Sequence, residues 1–357
     1  MTAHRWFVTW ALALGLGAAS AQPAPSPAAG PQQPCSAVSA QTCALAHALG
    51  RGINMGNMLD APQEGQWGLR LDPAYLRLAA EQFQTVRLPV RWSNHAAATA
   101  DAALESRFAA RVDQAVDNLL ARGVYVIINV HHYTQLMGGG VAAGEFAVDP
   151  EVLEERLVNI WRRLGLRYQD RSPRLVFELL NEPYGPLDGE PWNRLLPRVL
   201  AAVRESNPDR TVIVGPSYWN NAVHLPLLKL PPDRNLIVAF HSFHPFEFTH
   251  QGETSRNPPF PVGVTCCDAA QRRQIIEQFE TATHWSRQHG YPLHLGEFGS
   301  HQEADIASRA AYARIMRDEA ERRGIGWAYW EFAARFGIYN PATREWIEPL
   351  KRALLGD

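Results

Sequence analysis

The sequence predicts an α/β fold of the (β/α)8 TIM barrel type, and three observations carry that prediction. Eight short β-rich runs alternate with amphipathic helical stretches along the chain. Several of these runs are almost continuously apolar, as parallel strands covered on both faces must be. Polar residues gather at the C-terminal ends of most of them, the face on which barrel enzymes build their sites. An open doubly wound sheet, the rival architecture, would carry its ligand motif at a Gly-rich first turn. No GxGxxG or GxxxxGK(S/T) follows any strand here.

In chain order the predicted strands are Gly52–Gly56, Thr85–Val90, Tyr125–His131, Leu175–Leu180, Thr211–Gly215, Leu236–His241, Pro292–Gly296 and Gly326–Trp330. Helical periodicity covers Pro73–Gln84, Leu104–Arg122, Glu151–Tyr168 and Gln271–His289. Asp72-Pro73 supplies an N-cap followed by proline at the first helical position, and Gly123 and Gly290 sit where helices should stop.

The N-terminus reads as a leader. Positive charge lies in Met1–Arg5, an apolar run follows from Trp6 to Ala19, and Ala19-Ser20-Ala21 has the small residues of a cleavage site. Residues 1–21 are therefore expected to be a signal peptide. The run falls short of the ~20 residues an uncleaved membrane anchor needs. Residues 22–44 are expected to be a Pro-rich spacer and N-terminal segment, with QPAPSPAAGPQQP (22–34) extended, and 45–357 the barrel domain. The protein is expected to be secreted, periplasmic or extracellular, and a monomer with no membrane contact after cleavage. In an oxidising compartment Cys35–Cys43 is a plausible local disulfide, but four cysteines, with Cys266 and Cys267 adjacent, leave three pairings open. Without a CxxC pair a zinc site has little support.

Composition narrows the partner. The 357 residues are 46% hydrophobic and 20% charged, which excludes disorder as the dominant state. Lys plus Arg number 34 against 36 for Asp plus Glu, so nothing electrostatic points to nucleic acid or an anionic surface. An uncharged substrate suits this balance.

The strand ends then supply a constellation: Asn54 and Asn57, Arg87, His131 and His132, Asn181-Glu182-Pro183, His241 to Pro245, Glu297, and Trp330-Glu331. A core strand has no packing reason to end in an ionisable group. Alone, Glu182 reads as a turn carboxylate and Glu297 as a buried ion-pair partner. Together they stand on strands four and seven, across the barrel from each other, where inward side chains can lie ~5–5.5 Å apart, the retaining geometry of glycoside cleavage. One of the two would protonate the leaving oxygen while the other attacks the anomeric carbon or activates water, and Trp330 offers a flat apolar face to a sugar.

These motifs resemble glycoside hydrolase family 5, the cellulase and mannanase family. The resemblance spans roughly residues 50–350 and rests on RGINMGNMLDAPQEGQWG, VRLPVRW, INVHHY, FELLNEP, HPFEFTHQGE, LGEFG and WAYWEFAARFGIYN in that order. It implies that Glu182 is the acid/base and Glu297 the nucleophile, whose ionisation a neighbouring Arg87 would favour. It also implies substrate contacts from Asn181 (to the sugar 2-hydroxyl), Arg87, His131, His132, His241 and Trp330, and outer-subsite contacts from Asn57 and Asp60. The implied activity is a retaining β-glycosidase acting on β-1,4-linked polysaccharide, an endo-β-1,4-glucanase, with mannan, mixed-linkage glucan or xyloglucan as alternatives and a non-catalytic sugar-binding barrel as the non-enzymatic one. No metal and no organic cofactor is implied.

One residue departs from the family. A tyrosine is usual two residues after the sixth-strand histidine, and this chain has Phe243. A less stabilised nucleophile follows, or a replacement donor such as Tyr133 or Ser242. Adjacent strand residues point to opposite faces, so His131 and His132 should chelate poorly. Glu178, one pleat below Glu182, is expected to be the buried partner of a cation. Gly138–Gly140 should be a flexible loop, and Trp67, Trp92 and Trp219 are either sugar platforms or core.

Overall fold

A computed structural model describes residues 32–254 and 257–356. The expected leader, and the expected spacer up to residue 31, lie outside the described residues. Eight parallel strands close into a barrel in simple sequential order: β1 (Arg51–Asn54), β2 (Thr85–Leu88), β3 (Tyr125–Asn129), β4 (Leu175–Glu178), β5 (Val212–Val214), β6 (Leu236–His241), β7 (Leu293–Glu297) and β8 (Gly326–Tyr329). Around it run α1 (Ala40–Ala48), α2 (Pro73–Gln82), α3 (Ser106–Ala121), α4 (Leu153–Tyr168), α5 (Glu190–Arg204), the short α6 (Phe246–Thr249), α7 (Ala269–His289), α8 (Ile306–Glu321) and α9 (Glu348–Leu355). The TIM barrel predicted from the alternation is the observed fold.

Most strands stop pairing a residue or more before the predicted end. Beyond Leu88, Asn129 and Glu178 the chain leaves the ladder and bends into the cleft, so apolar and polar residues that look like strand become loop. Register is regular except for a bulge between Phe240 and His241, which brings His241 opposite Glu297. Helix starts follow the chemistry of their caps. Asp72 accepts from Ala74 N–H ahead of Pro73, and Asp268 with Gln271 makes a capping box that starts α7 two residues before the predicted Gln271.

The bottom of the barrel is plugged rather than open. Leu45 and Leu49, on and just after α1, pack with inward residues Ile127, Val176, Ile213, Ile237 and Ala239. The buried Gln33 side chain donates to the Leu293 and Gly324 carbonyls at 3.1 and 2.9 Å. The expected boundary at residue 45 thus falls inside one helix, and the segment from Gln33 onward packs with the barrel. Cys35–Cys43 tethers that segment, and Cys266 pairs with Cys267, which selects one of the three pairings. Among the described residues no helix is long and apolar enough to cross a membrane.

Candidate active site

The top of the barrel holds a cleft of about 1180 Å³. Beneath it lies a polar layer centred on Arg87, whose inward place on β2 leaves it fully buried. All five of its N–H donors are used. Nε and Nη2 grip Glu178 at 2.7 and 2.9 Å, Nη1 donates to Asn54 at 2.7 Å and Glu297 at 2.6 Å, and Nη2 also donates to Asn181 at 2.6 Å. Only a planar guanidinium offers this fork to four partners drawn from β1, β4 and the turn after it, and β7. Glu178 is the cation partner expected of it. Although burial works against its charge, Arg87 keeps its carboxyl below the ordinary range.

Glu297 ends β7, with Oε1 held by Arg87 and Oε2 3.9 Å from His241 Nδ1. Glu182 follows β4 in a left-handed conformation (φ 45°), which costs a non-glycine residue about 1–2 kcal/mol. Its neighbours secure the turn. Asn181 N–H donates to Val130 O at 2.9 Å, and Trp219 N–H to Pro183 O at 3.2 Å. The turn aims the carboxyl at His241 Nδ1, 2.6 Å from Oε1. One oxygen of Glu182, one of Glu297 and a His241 nitrogen all lie within 4.8 Å of one another. Close packing explains Gly296, since a Cβ there would stand 2.6 Å from His241 Nε2.

Burial pushes both carboxyls of this pair up to about 7, with Arg87 opposing the rise in each, while the charge of Glu178 adds to it at Glu182 and the charge of Glu182 adds to it at Glu297. The pair therefore carries a proton near neutrality. Arg87 touches Glu297 and not Glu182, so the proton belongs on Glu182. Burial also drives His241 down to about 4, leaving a neutral ring.

The walls of the cleft divide by strand. On the β8, β1 and β3 side, Trp330 lies parallel to the His131 ring at 5.7 Å, and Trp67 meets His132 edge-on at 5.5 Å. Asn57 lines this side. On the β4, β5 and β6 side, the half-exposed Trp219 is stacked on Tyr184 at 4.9 Å, with His244 and Phe246 beyond.

Two residues expected to touch sugar sit elsewhere. Arg87 and Asp60 are fully buried and line no part of the cleft. Asp60 instead accepts from Asn57 and Met58 N–H at 3.0 and 2.8 Å, shaping the loop that carries Asn57. Trp92 is core, edge-on to Phe108. Neither replacement donor for the missing tyrosine reaches Glu297. Tyr133 Oη donates to Leu153 O and accepts from Arg156, while buried Ser242 Oγ has no partner among the described residues. Phe243 itself packs edge-on to His250 at 5.2 Å.

The expectation that His131 and His132 diverge also fails. A left-handed φ of 54° at His132 breaks the strand alternation and brings the two rings to 4.3 Å. With Asp60 they place three potential metal ligands within 4.8 Å of one another, but Asp60 already accepts two backbone N–H groups and His131 Nδ1 faces Asn129 Nδ2. Sequence reasoning left Glu331 without a role. It lies in the cleft wall with Oε2 unpartnered among the described residues, and burial pushes its carboxyl up to about 8.

A Cellulase (glycosyl hydrolase family 5) model matches residues 55–335. The chain belongs to that family. Endoglucanase H of Acetivibrio thermocellus is 32% identical over 317 residues, covering 86% of this chain and 33% of that protein. The chain thus spans about a third of that relative's length. Among solved structures, a hyperthermophilic endo-β-1,4-glucanase in complex with substrate superposes with a TM-score of 0.83 at 38% identity, covering 88% of this chain and 99% of that one. Thermotoga maritima Cel5A in complex with mannotriose gives 0.80 at 37% identity, covering 87% and 99%. As a family 5 glycoside hydrolase, the chain has the enzyme class its two strand-end glutamates implied.

Proposed function

We propose that this family 5 enzyme is a secreted endo-β-1,4-glucanase that works by double displacement. The observation that carries the reading is the differently partnered glutamate pair: Glu297 held by Arg87, Glu182 by His241, with oxygens within 4.8 Å. That spacing suits a retaining enzyme, since an inverting one needs ~6.5–9.5 Å to seat a water. Glu297 Oε2 attacks the anomeric carbon while Glu182 gives its proton to the departing glycosidic oxygen. Glu182, now a carboxylate, takes a proton from water, whose oxygen displaces Glu297 from the anomeric carbon. Asn181 Oδ1 is committed to Arg87, which leaves its Nδ2 for a sugar hydroxyl. Trp330 floors the glycone side, and the Trp219–Tyr184 stack supports the leaving-group side, where the acid must stand.

The leader-like N-terminus supports secretion. A second reading, activity on β-mannan as well, is favoured by the mannotriose bound to the T. maritima relative. Proton NMR of cello-oligosaccharide hydrolysis tests the mechanism. β-Anomer should appear first, and initial α-anomer would contradict it. Carboxymethylcellulose, glucomannan, galactomannan, lichenan and xyloglucan assayed side by side test the substrate.

A further inference from the structure

We propose that Asn220 is a positioning residue that fixes the ring tautomer of His241, and through it the oxygen of Glu182 on which the acid proton resides. This rests on the assignment of Glu182 as the acid/base. Asn220 comes last in three consecutive residues with left-handed backbone, Tyr218, Trp219 and Asn220 (φ 60°, 57° and 53°). Such a run is unfavourable for side-chain-bearing residues, and what it accomplishes is to return the chain against β6. Asn220 O accepts from His241 N–H at 2.9 Å, and Asn221 bridges to His241 in parallel. The side chain is buried with its amide packed on Gly215, where a Cβ would stand 2.3 Å from Oδ1. Its Nδ2 faces His241 Nε2 at 3.4 Å.

An amide nitrogen only donates. Nε2 must then be the bare nitrogen of the neutral ring, and Nδ1 carries the hydrogen. That N–H donates to Glu182 Oε1, 2.6 Å away. Oε1 is thereby an acceptor, and the acid proton is placed on Oε2, which has no hydrogen-bond partner among the described residues and is available to the glycosidic oxygen. With the opposite tautomer Nδ1 would itself accept the Glu182 proton, and the acid would point away from the leaving group. The charged and titratable groups facing this pair are Glu297 and His294 from β7, Arg87 from β2, Glu178 from β4, Tyr184 after β4, and His131 and His132 after β3. None of them is hydrogen-bonded to Nε2 among the described residues.

The test compares a substrate that needs an acid with one that does not. A removed general acid costs about 10²–10⁴-fold, so Asn220→Asp and Asn220→Ala should lower kcat/KM on cellotetraose by about ten-fold or more and on 2,4-dinitrophenyl β-cellobioside by less than about three-fold. Asn220→Asp is nearly isosteric and accepts only, so it keeps the test alive if the alanine variant does not fold. Equal losses on both substrates, or no loss on either, would overturn the proposal. Nitrogen-15 NMR of the histidine rings adds a direct readout. Wild type should show His241 protonated at Nδ1, and protonation at Nε2 instead would also overturn it. Glu182→Ala on the same two substrates separates the layers. If it shows no selectivity, the acid/base assignment itself fails. If it is selective and the Asn220 variants are not, only the role of Asn220 falls.

Discussion

Replacing Arg87 by methionine removes the cation under the cleft and leaves its shape nearly filled. The cost is set by Glu178, which keeps 2% of its surface exposed and loses both of its charge-assisted bonds. A carboxylate stranded there escapes by taking a proton. Starting from its ordinary value of 4.5, that costs about 3 kcal/mol at pH 7 and under about 1 kcal/mol at pH 5. Losing the hydrogen bonds to Asn54, Asn181 and Glu297 adds about 1 kcal/mol each. The variant should therefore be destabilised by about 6 kcal/mol at pH 7, above the ~3–5 kcal/mol for breaking one buried ion pair because Glu297 loses its partner too, and by about 4 kcal/mol at pH 5. The sign is fixed by the wild type. Its Glu178 carboxyl is lowered, so the stability it contributes is present above the ordinary carboxylate range and is lost only on falling below it. Between pH 5 and 7 the wild-type contribution is flat, and the pH dependence belongs to the variant. Guanidinium unfolding followed by tryptophan fluorescence at both pH values measures it. A difference that is independent of pH, or smaller than about 1 kcal/mol at pH 7, would refute the view that Arg87 neutralises Glu178.

Further outcomes follow from the same site. Glu331→Gln mimics the protonated form of a carboxyl raised to about 8. A raised group contributes stability below its unfolded value that fades as pH rises through the folded one, so the variant should gain on wild type from pH 4.5 toward 8, by up to about 4–5 kcal/mol; unfolding curves showing no gain at pH 8 would contradict this. Gly296→Ala puts a Cβ 2.6 Å from His241 Nε2 and should reduce kcat by about ten-fold or more while the melting temperature moves only a few degrees. Equal activity would mean His241 is free to shift. Phe243→Tyr should lower the acid limb of the kcat/KM profile by giving Glu297 a hydroxyl donor, and an unchanged profile with unchanged activity would show that the absent tyrosine is immaterial. Cys35→Ser with Cys43→Ser should cost about 2–3 kcal/mol by releasing a short loop that holds α1 at the barrel floor, read by the same unfolding assay.

The barrel was legible because its signal is repeated eight times, and no single strand had to be read correctly. The meeting of the two glutamates was legible for a related reason: Glu297 ends one strand and Glu182 follows the end of another, and the C-terminal end of a strand in a parallel barrel has one address. What stayed hidden depends on backbone departures that periodicity cannot express. Extrapolating the two-residue alternation past Asn129 sent His131 and His132 to opposite faces, whereas a left-handed φ at His132 turns both rings together. The role of Asn220 depends on three such residues in succession. Arg87 was placed beside the nucleophile from its motif, but that it is buried beneath the cleft, with Asn54 and Glu178 as further partners, emerges only once four strands are in register. The floor of the barrel was missed because Gln33 and α1 lie beside a stretch whose proline and alanine content reads as linker.

The account stands on Glu297 as the residue that bonds to the sugar. Incubating the protein with 2,4-dinitrophenyl 2-deoxy-2-fluoro-β-cellobioside should arrest the reaction after the first displacement, because fluorine slows the second step and the leaving group needs no acid. Peptide mass spectrometry should then find the fluorocellobiosyl group on Glu297, with Glu297→Gln remaining unlabelled. A label on Glu182, or an unlabelled protein that still turns the substrate over, would contradict the account.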